Sequence, residues 1–285
     1  MLYLEDFTLA SEDQEWAFFI DQKSRAYSDY YPFQLFPAKQ MPTLRFEPIT
    51  ILYGDNGSGK SSLLNVIAEK LGLARGALYN RSSFFEDYLA LCDYTMHVPL
   101  PRGSAIITSD EIFNYMLDLR ALNQGIDAKR EEVFKDYLDH KFGNFQYHDL
   151  ADYDELQKTL ETRRKTQSRY VREHLHKNVT EQSNGESAMH FFATRIQGDH
   201  LYLLDEPENS LSPSRQQELV RLLADSARFF GCQFVIATHS PFVLALPGAK
   251  VYDLDAVPVG AKPWTALPEV RVYAEFFNAH RTAFE

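Results

Sequence analysis

The chain has 285 residues, 45% of them hydrophobic, enough to build a sizeable core in one large domain or two modest ones. A formal net charge of −11 excludes a global basic field that would draw the protein onto nucleic acid. Two cysteines, Cys92 and Cys232, show no metal-like spacing and no disulfide framework, which fits a reducing cytoplasm, and no apolar stretch reaches the ~20 residues of a membrane span.

The opening "MLYLEDFTL" alternates apolar and polar residues, unlike a signal peptide, and predicts a strand; "EWAFFI", short and aromatic, predicts another. The following stretch, rich in Pro and Tyr, predicts a loop. "ITILY" (49–53) is a continuous apolar run that predicts a buried strand, and Leu63, Leu64, Ile67, Ala68 and Leu71 mark one face of a helix over 61–71. Between about Thr108 and Asn178 charged, helix-favouring residues dominate and prolines are absent. There "TSDE" offers a capping box, Thr108 with Glu111, for a helix through "IFNYMLDLRAL", and further helices are predicted near 127–142 and 152–177. The α/β pattern then returns, with strands at 201–205, 233–238 and 250–255 and a helix at 213–229. The C-terminal "EVRVYAEFFNAH" reads as a closing helix, with a docking site as the alternative. No internal repeat interrupts this plan: residues 1–107 and 187–285 form an α/β core, and 108–186 form an inserted helical lobe.

Gly54-Asp55-Asn56-Gly57-Ser58-Gly59-Lys60-Ser61 fits G-x-x-x-x-G-K-[ST] between a predicted strand and a predicted helix. Glycines let backbone N–H groups converge on phosphate oxygens, and the helix start adds its positive end. Lys60 is placed to reach β- and γ-phosphates, Ser61 to hold Mg²⁺, and Ser62 to stand beside it.

Three further motifs bear on the chemistry. In "LYLLDEPENSLSP" a strand ends in Asp205-Glu206, which puts one carboxylate near the metal and the next near an attacking water; the plain alternative is a solvated acidic turn. In "IATHSP" a strand delivers His239 to the sheet mouth, where it could donate to a γ-phosphate. "EQSNGESAMHFF" offers a capping box, Ser183 with Glu186, and the same helix start is an anion site.

Together these motifs resemble the ATP-binding cassette ATPases, in particular the soluble SMC/RecF-like and OLD-like branch, over nearly the whole chain. "GDNGSGKS" is similar to Walker A, "LYLLDEP" to Walker B with the catalytic glutamate, "ENSLSP" to the D-loop and "ATHSP" to the histidine switch. "SNGES" stands where transporters carry LSGGQ, keeping Ser183 and Gly185 and departing elsewhere. The resemblance implies an α/β P-loop fold of ABC-ATPase type, a mixed sheet flanked by helices with an inserted helical lobe. It further implies ATP and Mg²⁺ as ligands and two ATP molecules sandwiched in a head-to-tail homodimer. In that arrangement Ser183 and Gly185 would cap the partner's γ-phosphate and Ser210 would cross the seam.

The family's Q-loop glutamine has no counterpart between residues 72 and 123, and Gln124 falls too late to take its place. Tyr27, Tyr30 and Tyr31 are open either to adenine stacking or to packing. Arg163, Arg164, Lys165, Arg169, Arg172 and Lys177 form a basic run read either as a solvated face or as a stripe for DNA or for a separately encoded effector. The resulting expectation is an ATP hydrolase acting as a switch in DNA maintenance or mobile-element defence. An ATPase subunit of a membrane transporter is the alternative, and a small-molecule P-loop kinase would leave His239 and "SNGES" without a task.

Overall fold

The computed structural model describes residues 1–21, 29–142, 161–162, 164, 166 and 184–285. The chain divides into two compact units, Met1–Ile112 with Asn184–Glu285, and Phe113–Ser183.

The first unit is built on seven strands in the order β10-β9-β3-β8-β7-β6-β4. These are β3 (Ile49–Tyr53), β4 (Ala74–Arg75), β6 (Ala105–Thr108), β7 (Leu201–Asp205), β8 (Gln233–Ala237), β9 (Lys250–Asp253) and β10 (Gly260–Ala261). All pairs are parallel except β9 with β10. Every residue of β3 and β8 is buried, as a parallel sheet covered on both faces requires. Helix α2 (Lys60–Leu71) packs on β6, β7 and β8 through Leu63, Leu64, Ile67 and Ala68, all fully buried. Helix α6 (Pro213–Phe229) packs on β8, and α5 (Asn184–Arg195) packs on α6.

A second, antiparallel sheet has the order β2-β1-β5, from β1 (Leu4–Thr8), β2 (Leu44–Arg45) and β5 (Asp93–Met96). Buried side chains stitch it to the larger sheet, Tyr252 of β9 bonding the Arg45 backbone of β2 among them. Gln233, at the start of β8, accepts from the N–H groups of Tyr3 (2.7 Å) and Leu4 (2.9 Å) and donates to the Leu4 carbonyl (2.8 Å). Gln233→Ala leaves two buried amides and a carbonyl without partners, so a loss of about 3 kcal/mol or more in unfolding free energy is expected from urea titration.

Two expectations are corrected. The "EWAFFI" segment is not a strand but part of helix α1 (Glu12–Asp21). Its start is fixed by a reciprocal box: Ser11 N donates to Gln14 Oε1 (2.8 Å) and Gln14 N donates to Ser11 Oγ (3.2 Å). Helix α4 (Ser109–Phe142) is one continuous element, so the stretch at 127–142 is not a separate helix; Gly125 is accommodated inside it. The Thr108 cap forms in part, Glu111 N donating to Thr108 Oγ1 at 3.4 Å, while the Glu111 carboxylate pairs with Arg195 at 3.5 Å. The stretch predicted helical at 152–177 lies almost wholly outside the described residues. Further helices are α3 (Phe85–Leu91), the single turn α7 (Pro241–Leu244) and α8 (Pro268–Ala279), the last matching the closing-helix reading in type but with only Val270 buried.

Candidate functional site

The phosphate loop leaves β3 at Gly54 and enters α2 at Lys60. Gly57 and Gly59 take φ of +85° and +91°, a region where a side chain would strain the backbone. At Gly54 the demand is for space: a Cβ would lie 2.6 Å from Ser58 Oγ. Lys60 is buried and folds its ammonium back over the loop, donating to the carbonyls of Gly54 (2.5 Å) and Asp55 (3.0 Å). Ser58 Oγ, also buried, has no hydrogen-bond partner among the described residues. An anion held over the loop would give that hydroxyl an acceptor and the ammonium a stronger one. A cavity of about 280 Å³ over the loop is lined by residues Asn56 to Ser62, with Leu35 and Glu206.

Strand β7 leads Glu206 to the cavity wall and sets Asp205 against Ser61, one of the lining residues. Ser61 Oγ donates to Asp205 Oδ1 at 3.0 Å. Burial, with Glu206 and Glu208 adding, pushes the Asp205 carboxyl up to about 6, while Ser61 and Lys60 hold it down. A hydroxyl and a carboxylate oxygen in contact are the hard donors that suit Mg²⁺, which keeps most of its shell as water and phosphate oxygen. Among the described residues no three His, Cys, Asp or Glu side chains form a cage of their own.

Glu206 follows with φ +48°, its N–H bonded to the Ala237 carbonyl (2.9 Å) and its Oε2 accepting from Asn209 Nδ2 (3.0 Å). His239 comes off the neighbouring strand and sets Nδ1 3.9 Å from Glu206 Oε1. Asp205 and Ala237 are register partners across β7 and β8, which is why Glu206 and His239, 33 positions apart, meet. Ser61 and Glu206 thus line the cavity with the loop, Asp205 joins through Ser61, and His239 does not line the cavity but stands beside Glu206.

The signature segment is placed differently. Ser183 lies outside the described residues, and Gly185 does not line the phosphate-loop cavity. At the start of α5, Gly185 sits beside the Arg215 side chain and the Ser210 carbonyl, while Glu186 pairs with Arg215 at 3.1 Å. Ser210 itself holds φ +72°. Tyr30 stacks on Phe84 at 4.9 Å and Tyr31 on Phe85 at 6.0 Å, so both belong to an aromatic packing cluster; Tyr27 lies outside the described residues. Gln124 is interior to α4. The β6 position beside Asp205 is taken by Thr108. Of the basic run, Arg164 alone is described.

Two residues passed over in the sequence complete the site. Asp255 Oδ2 accepts from the Asp55 N–H at 2.7 Å and so pins the loop from the end of β9. Glu208, 5% exposed, accepts at one oxygen from Thr238 Oγ1 (2.5 Å) and from the N–H groups of His239 and Ser240 (both 3.2 Å). The surplus acidity of "DEPEN" was a faint signal for the second; nothing local marked the first.

Residues 180–245 match the family model described as "AAA domain, putative AbiEii toxin, Type IV TA system". Among solved structures, the chain is similar to the Smc head domain with an extended coiled coil bound to the C-terminal domain of ScpA, from Pyrococcus furiosus: 12% identity, 97% of this chain and 100% of that one, TM-score 0.43. It is similar to the SMC head domain from Thermotoga maritima at 13% identity over 78% and 92% of the two chains, TM-score 0.36. The ATP-binding cassette MJ0796, in a dimeric post-hydrolysis state bound to ADP and Pi, is similar at 16% identity over 79% and 90%, TM-score 0.37. No curated protein matches the sequence. The family model described as "ABC transporter" matches residues 42–209. Since that match spans more than half of the sequence and runs from the phosphate loop through the Asp205-Glu206 strand, the chain belongs to the ABC ATPase family and hydrolyses ATP.

Proposed function

We propose that the protein is an ATP-gated switch of the soluble SMC/RecF/OLD-like branch, working in the cytoplasm as a head-to-tail homodimer with two ATP molecules at the seam. In this reading Lys60 and residues 54–62 grip the triphosphate. Ser61 and Asp205 hold Mg²⁺, which supplies charge neutralisation on the phosphates when bound. Glu206 orients and deprotonates the attacking water, and His239 contacts the γ-phosphate.

The observation that supports the dimer is the placement of Gly185. A signature residue that packs beside Ser210 and Arg215, and does not line the phosphate-loop cavity of its own subunit, is left to serve a second copy. Ser183, with Gly185, would then cap the nucleotide held by the partner. Each ATP bridges two surfaces only while its γ-phosphate is present, and this couples hydrolysis to separation. The match of residues 180–245 to the AAA model supports the branch and, with it, a setting in DNA maintenance or defence against mobile elements. A DNA duplex or a separately encoded effector would be the output partner. No helix among the described residues is long and apolar enough to cross a membrane.

The family description leaves a transporter ATPase subunit as the second reading, and copurification of a polytopic membrane protein would favour it. A monomeric site would hydrolyse at a rate per molecule independent of concentration. The dimer predicts specific ATPase activity that rises with protein concentration until dimerisation saturates. A flat profile across the micromolar range, with sedimentation showing monomer, would remove the shared-site reading.

A further inference from the structure

We infer that Glu208 is a positioning residue for hydrolysis, one that fixes the loop bearing His239; this rests on the reading of His239 given above. Strands β7 and β8 are parallel neighbours with Asp205 opposite Ala237, so the loops that follow them emerge side by side. The β7 loop supplies Glu208, and the β8 loop supplies Thr238, His239 and Ser240. A single carboxylate oxygen, Glu208 Oε1, collects three donors from that second loop: the Thr238 hydroxyl, the His239 N–H, and the Ser240 N–H, which it shares with Thr238 Oγ1 at 3.0 Å. Thr238 is fully buried and Ser240 is 4% exposed, so these donors have no water to fall back on.

The far side of the loop is fixed as well. Ser240 Oγ donates to Gln216 Oε1 at 2.7 Å and caps α7 by accepting from the Phe242 and Val243 N–H groups. With its backbone held on both sides, His239 places Nδ1 3.7 Å from Glu208 Oε1 and 3.9 Å from Glu206 Oε1. The ring therefore turns Nδ1 towards the carboxylates, so that a bond from this side chain to a phosphate oxygen would fall to Nε2. A charged side chain at 5% exposure is costly to bury, and a turn needing only to close would not require one. Three donors gathered from one neighbouring loop fit a clamp on that loop's geometry.

Steady-state ATPase kinetics test this. Glu208→Asp keeps the charge but withdraws the oxygen by one methylene, and it is expected to lower kcat by about 10- to 100-fold with KM for ATP within about threefold. Glu208→Gln keeps an acceptor oxygen at full reach and is expected to recover kcat to within about fivefold. Combined with His239→Ala, the Asp variant should be no slower than His239→Ala alone, because both act through one group. Glu208→Asp with parental kcat, or losses that multiply in the double variant, would overturn the inference while leaving a slow His239→Ala to uphold the reading of His239. A parental kcat in His239→Ala would overturn that reading and this inference with it. Circular dichroism melts confirm that the compared variants are folded.

Discussion

Lys60→Ala protein is expected to show no measurable ATP hydrolysis and an ATP affinity lowered by at least about 100-fold. The Lys60 side chain is buried against the loop, where its ammonium donates to the Gly54 and Asp55 carbonyls. Both are neutral acceptors, and phosphate oxygens are stronger ones. Hydrogen bonds to charged groups contribute about 1.5–3 kcal/mol each, so losing two costs roughly 3–6 kcal/mol, or about two to four decades in the dissociation constant. Calorimetric titration with ATP measures the loss directly, and a thermal melt separates it from unfolding. An affinity within about threefold of the parent would remove Lys60 from the phosphate grip.

Glu206→Gln is expected to do the opposite to binding. The amide matches the carboxylate in size and can still accept from Asn209, which holds Oε2 at 3.0 Å, so the strained backbone at φ +48° keeps its support. What it cannot do is take a proton from water. A lost general base costs about 10²- to 10⁴-fold in kcat, while the gripping groups are untouched. ATP should then persist, and light scattering in saturating Mg-ATP should give a mass roughly twice the 32.9 kDa of one chain. A protein that stays at one mass would contradict the sandwich; one that hydrolyses at the parental rate would take the base role from Glu206.

The parts of this site legible in the sequence share a property: their information is local. The phosphate loop announces itself in eight consecutive residues, and Asp205 and Glu206 close an apolar run that had to be a buried strand. The helix Pro213–Phe229 likewise falls on the predicted residues, opened by Pro213 and patterned on one face. What escaped notice was either too short or too distant. Strand β6 is four residues, "AIIT", squeezed between a turn and a helix cap, and no periodicity develops over that length. In "EWAFFI" the aromatics hid a helix whose start was written upstream, in Ser11 and Gln14. Gly125 falls between the two stretches predicted as separate helices, yet one glycine costs only about 1 kcal/mol inside a helix 34 residues long. The clamp at Glu208 depends on Thr238, 30 residues away, and only the register of β7 against β8 makes them neighbours. Asp255, 200 residues from Asp55, is the extreme case.

The amide of Gln233 carries a consequence for how the protein is made. Tyr3 and Leu4 leave the ribosome well before their partner, which is synthesised 230 and 229 residues later. Ile49, whose strand leads into the nucleotide grip, waits almost as long for Phe234. Closing loops of that length is slow and entropically costly. A nascent chain halted anywhere before that glutamine therefore lacks both partners, and ATP should begin to protect it from protease only once translation has passed this point.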